Sequence, residues 1–172
     1  MDETGLRVGV GRGQWVIVPA SDEKNRFTNL IGSQGDTEHV TVVESISADG
    51  VVIPPLIIIK GVVIQTRWFA DIKDDDIAIG VSDSGYTNDI LCFQWLQHWA
   101  RLSRRPQTGY RLLILDGYES HLSFQFFRYC ELHRIIILRL PAYTTHFLQP
   151  LDVVIFQQWK HWHTEAIDRA VR

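Results

Sequence analysis

A strand–helix–strand pattern within residues 110–160 most constrains the fold of this chain. Residues 112–115 form a short apolar run that ends at Asp116–Gly117, a dipeptide typical of turns. An amphipathic helical pattern follows, and residues 135–140 (IIILRL) form a second candidate for a buried strand. This order predicts a βαβ unit with two parallel strands, and therefore an α/β fold.

Two acidic residues lie at the edges of these predicted elements. Asp116 follows the first strand, at the position where open α/β sheets gather their ligands. Asp152 opens a third apolar segment, in which Phe156, Trp159 and Trp162 share one predicted helix face packed on the sheet. The two acids suggest a shared cation. Each also fits a structural role, Asp116 in an Asp-Gly turn and Asp152 as an acid in the first turn of a helix.

Composition bounds the class of protein. The chain has 172 residues, of which 45% are hydrophobic, so we expect one domain with a sizeable core. The net charge of −3 and the isoelectric point near 6.1 give no basic surface typical of nucleic-acid binding. This charge balance argues against a domain that only binds nucleic acid. It is compatible with an enzyme that acts on DNA through a local groove.

The sequence indicates an intracellular protein that is not secreted. Cys92 and Cys130 are far apart and lie in apolar helical patterns, which favours reduced thiols. The start of the chain has no signal-peptide pattern. The longest apolar run, residues 51–59, contains two prolines and is too short to span a membrane.

The N-terminal half reads mainly as strands. Two carboxylates at the extreme start precede a glycine-rich stretch, and residues 14–19 predict a short strand before a polar loop over 21–38. Residues 39–46 and 51–59 predict a hairpin around the turn signal Asp49–Gly50. Because prolines cannot donate to a β-ladder, Pro54 and Pro55 predict that the second strand lies at an edge or carries a bulge.

The middle of the chain predicts one helix. Asn88 or Thr87 caps it, and it runs to about Ser103. Its core face is a set of apolar residues at helical spacing, namely Cys92, Trp95, Leu96, Trp99 and Leu102.

Charged residues flank this helix. The run Asp74–Asp75–Asp76 suggests a metal cluster, but consecutive side chains point in divergent directions, so a solvated loop is favoured. Arg101, Arg104 and Arg105 suit the negative end of the helix dipole, and contact with phosphate is the alternative.

Metal chemistry is the function that paired acids support. Carboxylates that hold two Mg²⁺ or Mn²⁺ ions activate water or a 3′-hydroxyl group for phosphodiester transfer. His121 and His146 lie near the candidate acids, but the closely spaced His and Cys sets typical of zinc are missing. We interpret both histidines as supporting or structural groups.

Residues 112–130 (LLILDGYESHLSFQFFRYC) and 135–160 (IIILRLPAYTTHFLQPLDVVIFQQWK) closely resemble the DDE superfamily endonuclease domain of pogo-like transposases. This group includes centromere protein B and jerky-type domesticated relatives. The start, MDETGLRVGVGRG, resembles the first catalytic segment of the family, and residues 82–89 (SDSGYTND) resemble another of its sequence blocks. The similarity covers essentially the whole chain in the same order.

The resemblance implies an RNase H-like mixed sheet flanked by helices and a triad of catalytic, metal-binding acids at Asp2, Asp116 and Asp152. Asp2 and Asp116 would bridge Mg²⁺ or Mn²⁺ ions, and Asp152 would complete the second site. It also implies transposon-end DNA as the partner and the nucleus as the location. Tyr118 and Val154 depart from the His and Gly that family members commonly carry there.

Two further differences from the family shape the expected function. Nothing in residues 1–172 corresponds to the family's helix-turn-helix region, and only Met1 precedes Asp2. We therefore expect one domain, truncated at its N-terminus, with the first, central strand largely missing. The expected ancestral activity is metal-dependent DNA cleavage and strand transfer, weak or lost in this chain alone. The alternative is a non-catalytic transposon remnant or a domesticated nucleic-acid-binding protein.

Overall fold

A computed structural model describes six segments of the chain, residues 1–7, 39–65, 76–104, 109–116, 123–141 and 143–171. The strand predicted at 14–19 and the loop predicted at 21–38 lie outside these residues. Five single residues considered above also lie outside them, namely Asp74, Asp75, Arg105, Tyr118 and His121.

The predicted βαβ unit is confirmed. Strand β5 (Arg111–Leu115) and strand β6 (Ile135–Arg139) pair in parallel, and helix α2 (Phe124–Leu132) lies between them in sequence. The apolar run of β5 is buried on one face only. Leu113 and Leu115 are buried, whereas Leu112 is 56% exposed, because only the face towards the helices is covered.

The N-terminal half contributes a four-stranded mixed sheet in the order β1-β2-β3-β4. The strands are β1 (Asp2–Arg7), β2 (His39–Ile46), β3 (Val52–Lys60) and β4 (Ala78–Ser82). The β1–β2 and β2–β3 pairs are antiparallel, and the β3–β4 pair is parallel. The hairpin predicted around Asp49–Gly50 is confirmed, and with the βαβ unit this mixed sheet confirms the α/β class.

The two prolines of β3 fall at a bulge rather than at an edge. β3 lies between β2 and β4, so of the two predicted alternatives the edge strand does not apply. The register with β2 shifts between Val43 and Ser45, opposite the segment that holds Pro54 and Pro55, which confirms the bulge. His98 of the following helix lies 2.7 Å from the carbonyl oxygen of Pro54 through Nε2. The bulge accommodates Pro54 and Pro55, which have no N–H group to donate to a regular ladder.

The strand that carries Asp2 differs from the expectation. Asp2 begins β1, which has six residues paired with β2 from Asp2 opposite Glu44 to Arg7 opposite His39. The strand is therefore not largely missing, but it lies at the edge of its sheet and not at the centre.

Helix α1 (Asp89–Leu102) joins the two sheets through a common core. Its N-cap is Asn88, whose side chain accepts a hydrogen bond from the backbone N–H of Leu91, as the sequence predicts. The buried face of α1 packs with residues of both sheets and of α2. These core residues include Val43, Leu56, Ile58, Trp95, Leu96, Leu113, Leu115, Phe126 and Ile135.

The chain ends in a series of helical segments. Helix α3 (Thr145–Leu148) is short, a π-helical turn follows (Leu151–Ile155), and α4 (Phe156–Val171) is the last described element. Phe156 is buried, but Trp162 is 62% exposed, so the predicted single face packed on the sheet is wrong for Trp162. No helix in the described segments is both long and apolar enough to cross a membrane.

Candidate active site

Met1 links the elements that carry the three predicted acids. Its ammonium group donates a hydrogen bond to the carbonyl oxygen of Ile114 in β5, at 2.9 Å. Its own carbonyl oxygen accepts a hydrogen bond from Nε2 of the buried Gln149, at 3.0 Å. Asp2 therefore follows a residue bound both to the strand that precedes Asp116 and to the segment that precedes Asp152.

Asp2 is the most perturbed of the three predicted acids. Its side chain is buried, with the residue 8% exposed, and Oδ2 has no hydrogen-bond partner within the described segments. Burial raises the pKa of Asp2 to about 7, with a backbone hydrogen bond at Glu3 opposing the shift. The charges of Asp152 and Asp116 raise the pKa further, and the Met1 ammonium lowers it. Asp116 and Asp152, from two other elements, therefore lie near enough to Asp2 to act on it electrostatically.

Asp116 and Asp152 occupy the ends of their elements, as the sequence predicts. Asp116 directly follows β5 and is half-buried. Asp152 is half-buried in the first turn of the π-helical segment. In the part of the chain that is described, no group of three or more His, Cys, Asp or Glu side chains is arranged to hold a metal ion. The assignment of Asp2, Asp116 and Asp152 as metal ligands stays a prediction.

The chemistry at Asp2 nevertheless fits a divalent cation. A carboxylate oxygen that is buried without a partner carries a desolvation cost, which a bound cation or proton removes. Carboxylate oxygens are the side-chain ligands that Mg²⁺ and Mn²⁺ prefer. The acids around Asp2 supply the right ligand type, and their mutual repulsion favours a cation among them.

Glu44 is a buried acid that the sequence analysis did not single out. It lies on β2 directly opposite Asp2 and is 6% exposed. Burial raises the pKa of Glu44 to about 7. In the sequence, the one sign that could have identified Glu44 was an acidic residue in the middle of a predicted strand, directly after Val42 and Val43. Its closeness to Asp2 depends on strand register, which the sequence does not state.

The segment between β4 and α1 fastens the first strand in place. Thr87 Oγ1 donates a hydrogen bond to Glu3 Oε2 at 2.7 Å, and Thr41 Oγ1 of β2 donates to the carbonyl oxygen of Gly85 at 2.8 Å. Gly85 has a φ of 77°, a conformation that glycine adopts without strain. These contacts give residues 82–89 a structural role beside Asp2.

Other charged residues singled out from the sequence lie on the surface. Asp76 is exposed and pairs with Arg101 at 3.3 Å, in agreement with a solvated loop. Arg104 lies 3.7 Å from Asp49. His146 is exposed and its ring contacts Phe147 edge to face. Among these residues, surface pairs and ring contacts are observed, while phosphate contact by the arginines is untested.

The family of the chain follows from sequence comparison. The family model described as DDE superfamily endonuclease matches residues 37–169, and the chain belongs to this family. The matched segment contains Asp116 and Asp152, whereas Asp2 lies before it.

Two curated relatives extend the comparison. A human protein named Pogo transposable element with ZNF domain is 25% identical over 162 residues, covering 90% of this chain and 11% of that protein. A protein of Cochliobolus lunatus named MFS-type transporter clz9 is 31% identical over 171 residues, covering 99% of this chain and 18% of that protein. The chain thus spans less than a fifth of each relative. No solved structure matches it.

The family match and the Pogo relative together confirm the resemblance to pogo-like DDE transposase domains.

Proposed function

We propose that this chain is the catalytic domain of a DDE transposase that cleaves transposon-end DNA and transfers the cut strand, using Mg²⁺ or Mn²⁺. The observation that carries the proposal is the buried Asp2, whose pKa responds to Asp116 and Asp152 and whose Oδ2 has no partner among the described residues. An RNase H-like fold is part of the proposal. It is supported by the mixed sheet followed by the parallel β5–β6 pair.

Each acid has a distinct task in this proposal. Asp2 and Asp116, at adjacent ends of β1 and β5, would hold one cation between them, and Asp152 would hold the second with Asp2. Cations bound there would activate the attacking water or 3′-hydroxyl group and stabilise the leaving oxygen. The two hydrogen bonds of Met1 hold the start of β1 against β5 and against Gln149, and in this proposal they would orient the acids.

DNA is the proposed partner and the nucleus the proposed location. The net charge of −3 gives the domain little general attraction for phosphate. Divalent cations at the acids would therefore neutralise the scissile phosphate locally. The DNA sequence would be read by parts of a longer protein, as the short share of each relative covered here permits.

The proposal is tested with supercoiled plasmid and EDTA-treated protein supplied with Mg²⁺, Mn²⁺ or Ca²⁺. We expect weak nicking with Mg²⁺ or Mn²⁺ and none in EDTA. Asp116→Asn and Asp152→Asn should each abolish it. The matched control is Asp76→Asn, which removes an exposed carboxylate paired with Arg101 and should leave nicking unchanged.

A binding measurement accompanies the nicking assay, because the isolated domain is expected to cut slowly. Mn²⁺ should raise the melting temperature of the wild type, and Asp116→Asn should lose most of that rise. An equal rise in Asp116→Asn would contradict a cation site at Asp116. Cation binding without any nicking of DNA would favour the alternative, a domain that keeps the fold and has lost the reaction.

A further inference from the structure

The edge of β5 that faces away from β6 is open to another strand. Backbone groups alternate in direction along a strand, and the N–H of Arg111 and the carbonyl oxygen of Leu115 both bond to the β6 side. The N–H and carbonyl groups of Leu112 and Ile114 therefore point to the opposite edge. Among the described strands, β6 is the one neighbour of β5. β5 thus presents a ladder edge on its far side.

Met1 makes the first bond of a ladder at one end of this edge. Its ammonium group donates to the carbonyl oxygen of Ile114 at 2.9 Å. The next residue, Asp2, lies near enough to Asp116 for the two to interact electrostatically. The chain therefore passes β5 in the same direction as β5 itself runs. A residue joined to the nitrogen of Met1 would lie towards Leu112.

β2 borders the same space from the other side. β1 pairs with β2 up to Asp2 opposite Glu44, whereas β2 continues to Ile46. A cavity of about 250 Å³ lies beyond this point, between the turn of the β2–β3 hairpin and the start of β5. The apolar residues of its walls are Val51, Ile53, Trp99 and Leu112. The gap is therefore flanked by a ladder edge on each side.

The nitrogen of Met1 suits a peptide bond better than a charge. Burial lowers the pKa of the Met1 ammonium group, because desolvation disfavours its charged form. A peptide N–H in the same place would keep the hydrogen bond to Ile114 and carry no charge. The Met1 side chain packs against the core that both sheets share. Because side chains alternate along a strand, those at every second preceding position would enter the cavity beside Trp99.

We propose that the gap between β2 and β5 binds one more β-strand, and that this strand is the segment preceding Met1 in a longer protein. It would run antiparallel to β2 and parallel to β5, with apolar side chains at alternate positions, and it would join the two sheets. The chain spans less than a fifth of each relative, so each relative contains many residues beyond the matched segment. The inference does not depend on metal binding or on DNA cleavage.

The test adds five residues before Met1 and follows hydrogen–deuterium exchange by NMR in the presence of EDTA. In a parallel ladder that continues from the bond between Met1 and Ile114, a strand of this length would accept hydrogen bonds from the N–H groups of Ile114 and Leu112. The extension Thr-Val-Thr-Val-Thr should therefore slow exchange at both amides about tenfold, the upper range for one net hydrogen bond. Its valines occupy the positions that would enter the cavity.

Two control extensions have the same length. Thr-Val-Thr-Pro-Thr places a proline, which has no N–H group, at the position that would donate to the carbonyl oxygen of Leu112. Gly-Ser-Gly-Ser-Gly has little tendency to form a strand. Both should leave exchange at Leu112 and Ile114 close to that of the unextended chain. The amide of Leu113 faces β6, so it serves in every sample as the reference for an intact fold.

Protection by Thr-Val-Thr-Val-Thr that neither control gives would support the inference. Equal exchange in all four chains would overturn it, because no preceding segment then pairs with β5. Slow exchange at both amides of the unextended chain would also overturn it, since the gap would then be occupied already. Sedimentation of that chain would show whether the occupant is a second copy.

Discussion

Thr87 and Glu3, 84 positions apart in the chain, are joined by a hydrogen bond of 2.7 Å from the threonine hydroxyl to the carboxylate. The bond connects the residue just before the N-cap of α1 to the residue after Asp2. Thr87 is buried, and Glu3 lies on the face of β1 opposite to Asp2. The start of the chain is therefore held on one face by this bond, while the other face carries the acid.

Replacing Thr87 with valine removes this hydroxyl and keeps the side-chain shape. A hydrogen bond to a charged group contributes about 1.5–3 kcal/mol, so we expect Thr87→Val to lower the free energy of unfolding by an amount in that range. Urea unfolding measures it. Thr41→Val is the matched control, because its hydroxyl donates to the neutral carbonyl of Gly85 and should cost about 0.5–1.5 kcal/mol. Equal losses would show that the Glu3 carboxylate adds nothing.

Stability in the absence of metal should fall as the pH rises from about 4 to about 7. Burial raises the pKa of Asp2 from 3.8 to about 7 and that of Glu44 from 4.5 to about 7. In this window the folded state holds protons that the unfolded state has released, so rising pH favours unfolding. Each pKa unit corresponds to about 1.4 kcal/mol. Urea unfolding in EDTA at several pH values measures the slope.

Single variants assign this slope to its residues. Asp2→Asn and Glu44→Gln each remove one titrating carboxylate, and each should flatten the decline between pH 4 and 7. Glu131→Gln, an exposed acid, should leave it unchanged. If Asp2→Asn and Glu44→Gln both kept the wild-type decline of stability with pH, these carboxylates would not titrate between pH 4 and 7. If Asp2 holds a cation as proposed, saturating Mg²⁺ should stabilise most above pH 7, where Asp2 is ionised.

Gln149 should influence both stability and metal binding. Its side chain is buried, and Nε2 is the donor to the Met1 carbonyl oxygen. Gln149→Leu leaves that oxygen unsatisfied, which costs about 1–3 kcal/mol, and it loosens β1 from the segment before Asp152. We expect a lower melting temperature and a smaller rise with Mn²⁺. Gln157→Leu, at an exposed position of α4, should change neither. A full Mn²⁺ response in Gln149→Leu would show that this bond does not orient the acids.

Gly85 should tolerate alanine less well than Gly50. Both glycines have positive φ, 77° and 83°, and forcing alanine into such a conformation costs about 1–2 kcal/mol. A Cβ atom at Gly85 would also lie 3.1 Å from Lys60 Cβ and 3.2 Å from the His39 carbonyl oxygen, whereas nothing lies within 4 Å at Gly50. Urea unfolding should therefore show a larger loss for Gly85→Ala. Equal losses of stability in the two variants would mean that Lys60 and His39 move away from the new Cβ atom at no cost in free energy.

The elements that sequence reasoning found are those with local signals. Asn88 marks the start of α1 through its capping side chain, and Asp49–Gly50 marks the hairpin. The βαβ unit follows from two apolar runs around one amphipathic stretch. Asp116 and Asp152 were singled out as candidates because each stands where such an element ends or begins.

The features that were missed depend on distant partners. Strand β4 (Ala78–Ser82) is short, and it pairs with β3 in a parallel ladder that no local turn announces. Asp2 begins a strand because β2 offers it a partner, although the glycines nearby suggested irregular structure. The exposure of Trp162 and the burial of Glu44 follow from packing and register. Neither is encoded in the spacing of residues along one segment.

The π-helical turn has a consequence for how the chain tolerates changes in length. Its widened backbone lets the N–H of Phe156 bond to the carbonyl oxygen of Leu151, and both of these side chains are buried. Leu151 and Phe156 are five positions apart. In an ordinary α-helix, side chains at that spacing would point in different directions, since each residue adds about 100° of rotation. Deleting Val153 or Val154, both exposed, would restore an α-helical spacing at the cost of rotating Asp152 relative to Phe156. The orientation of that acid is therefore set by a residue count, and chains that carry a one-residue deletion here would keep α4 while losing the direction of Asp152.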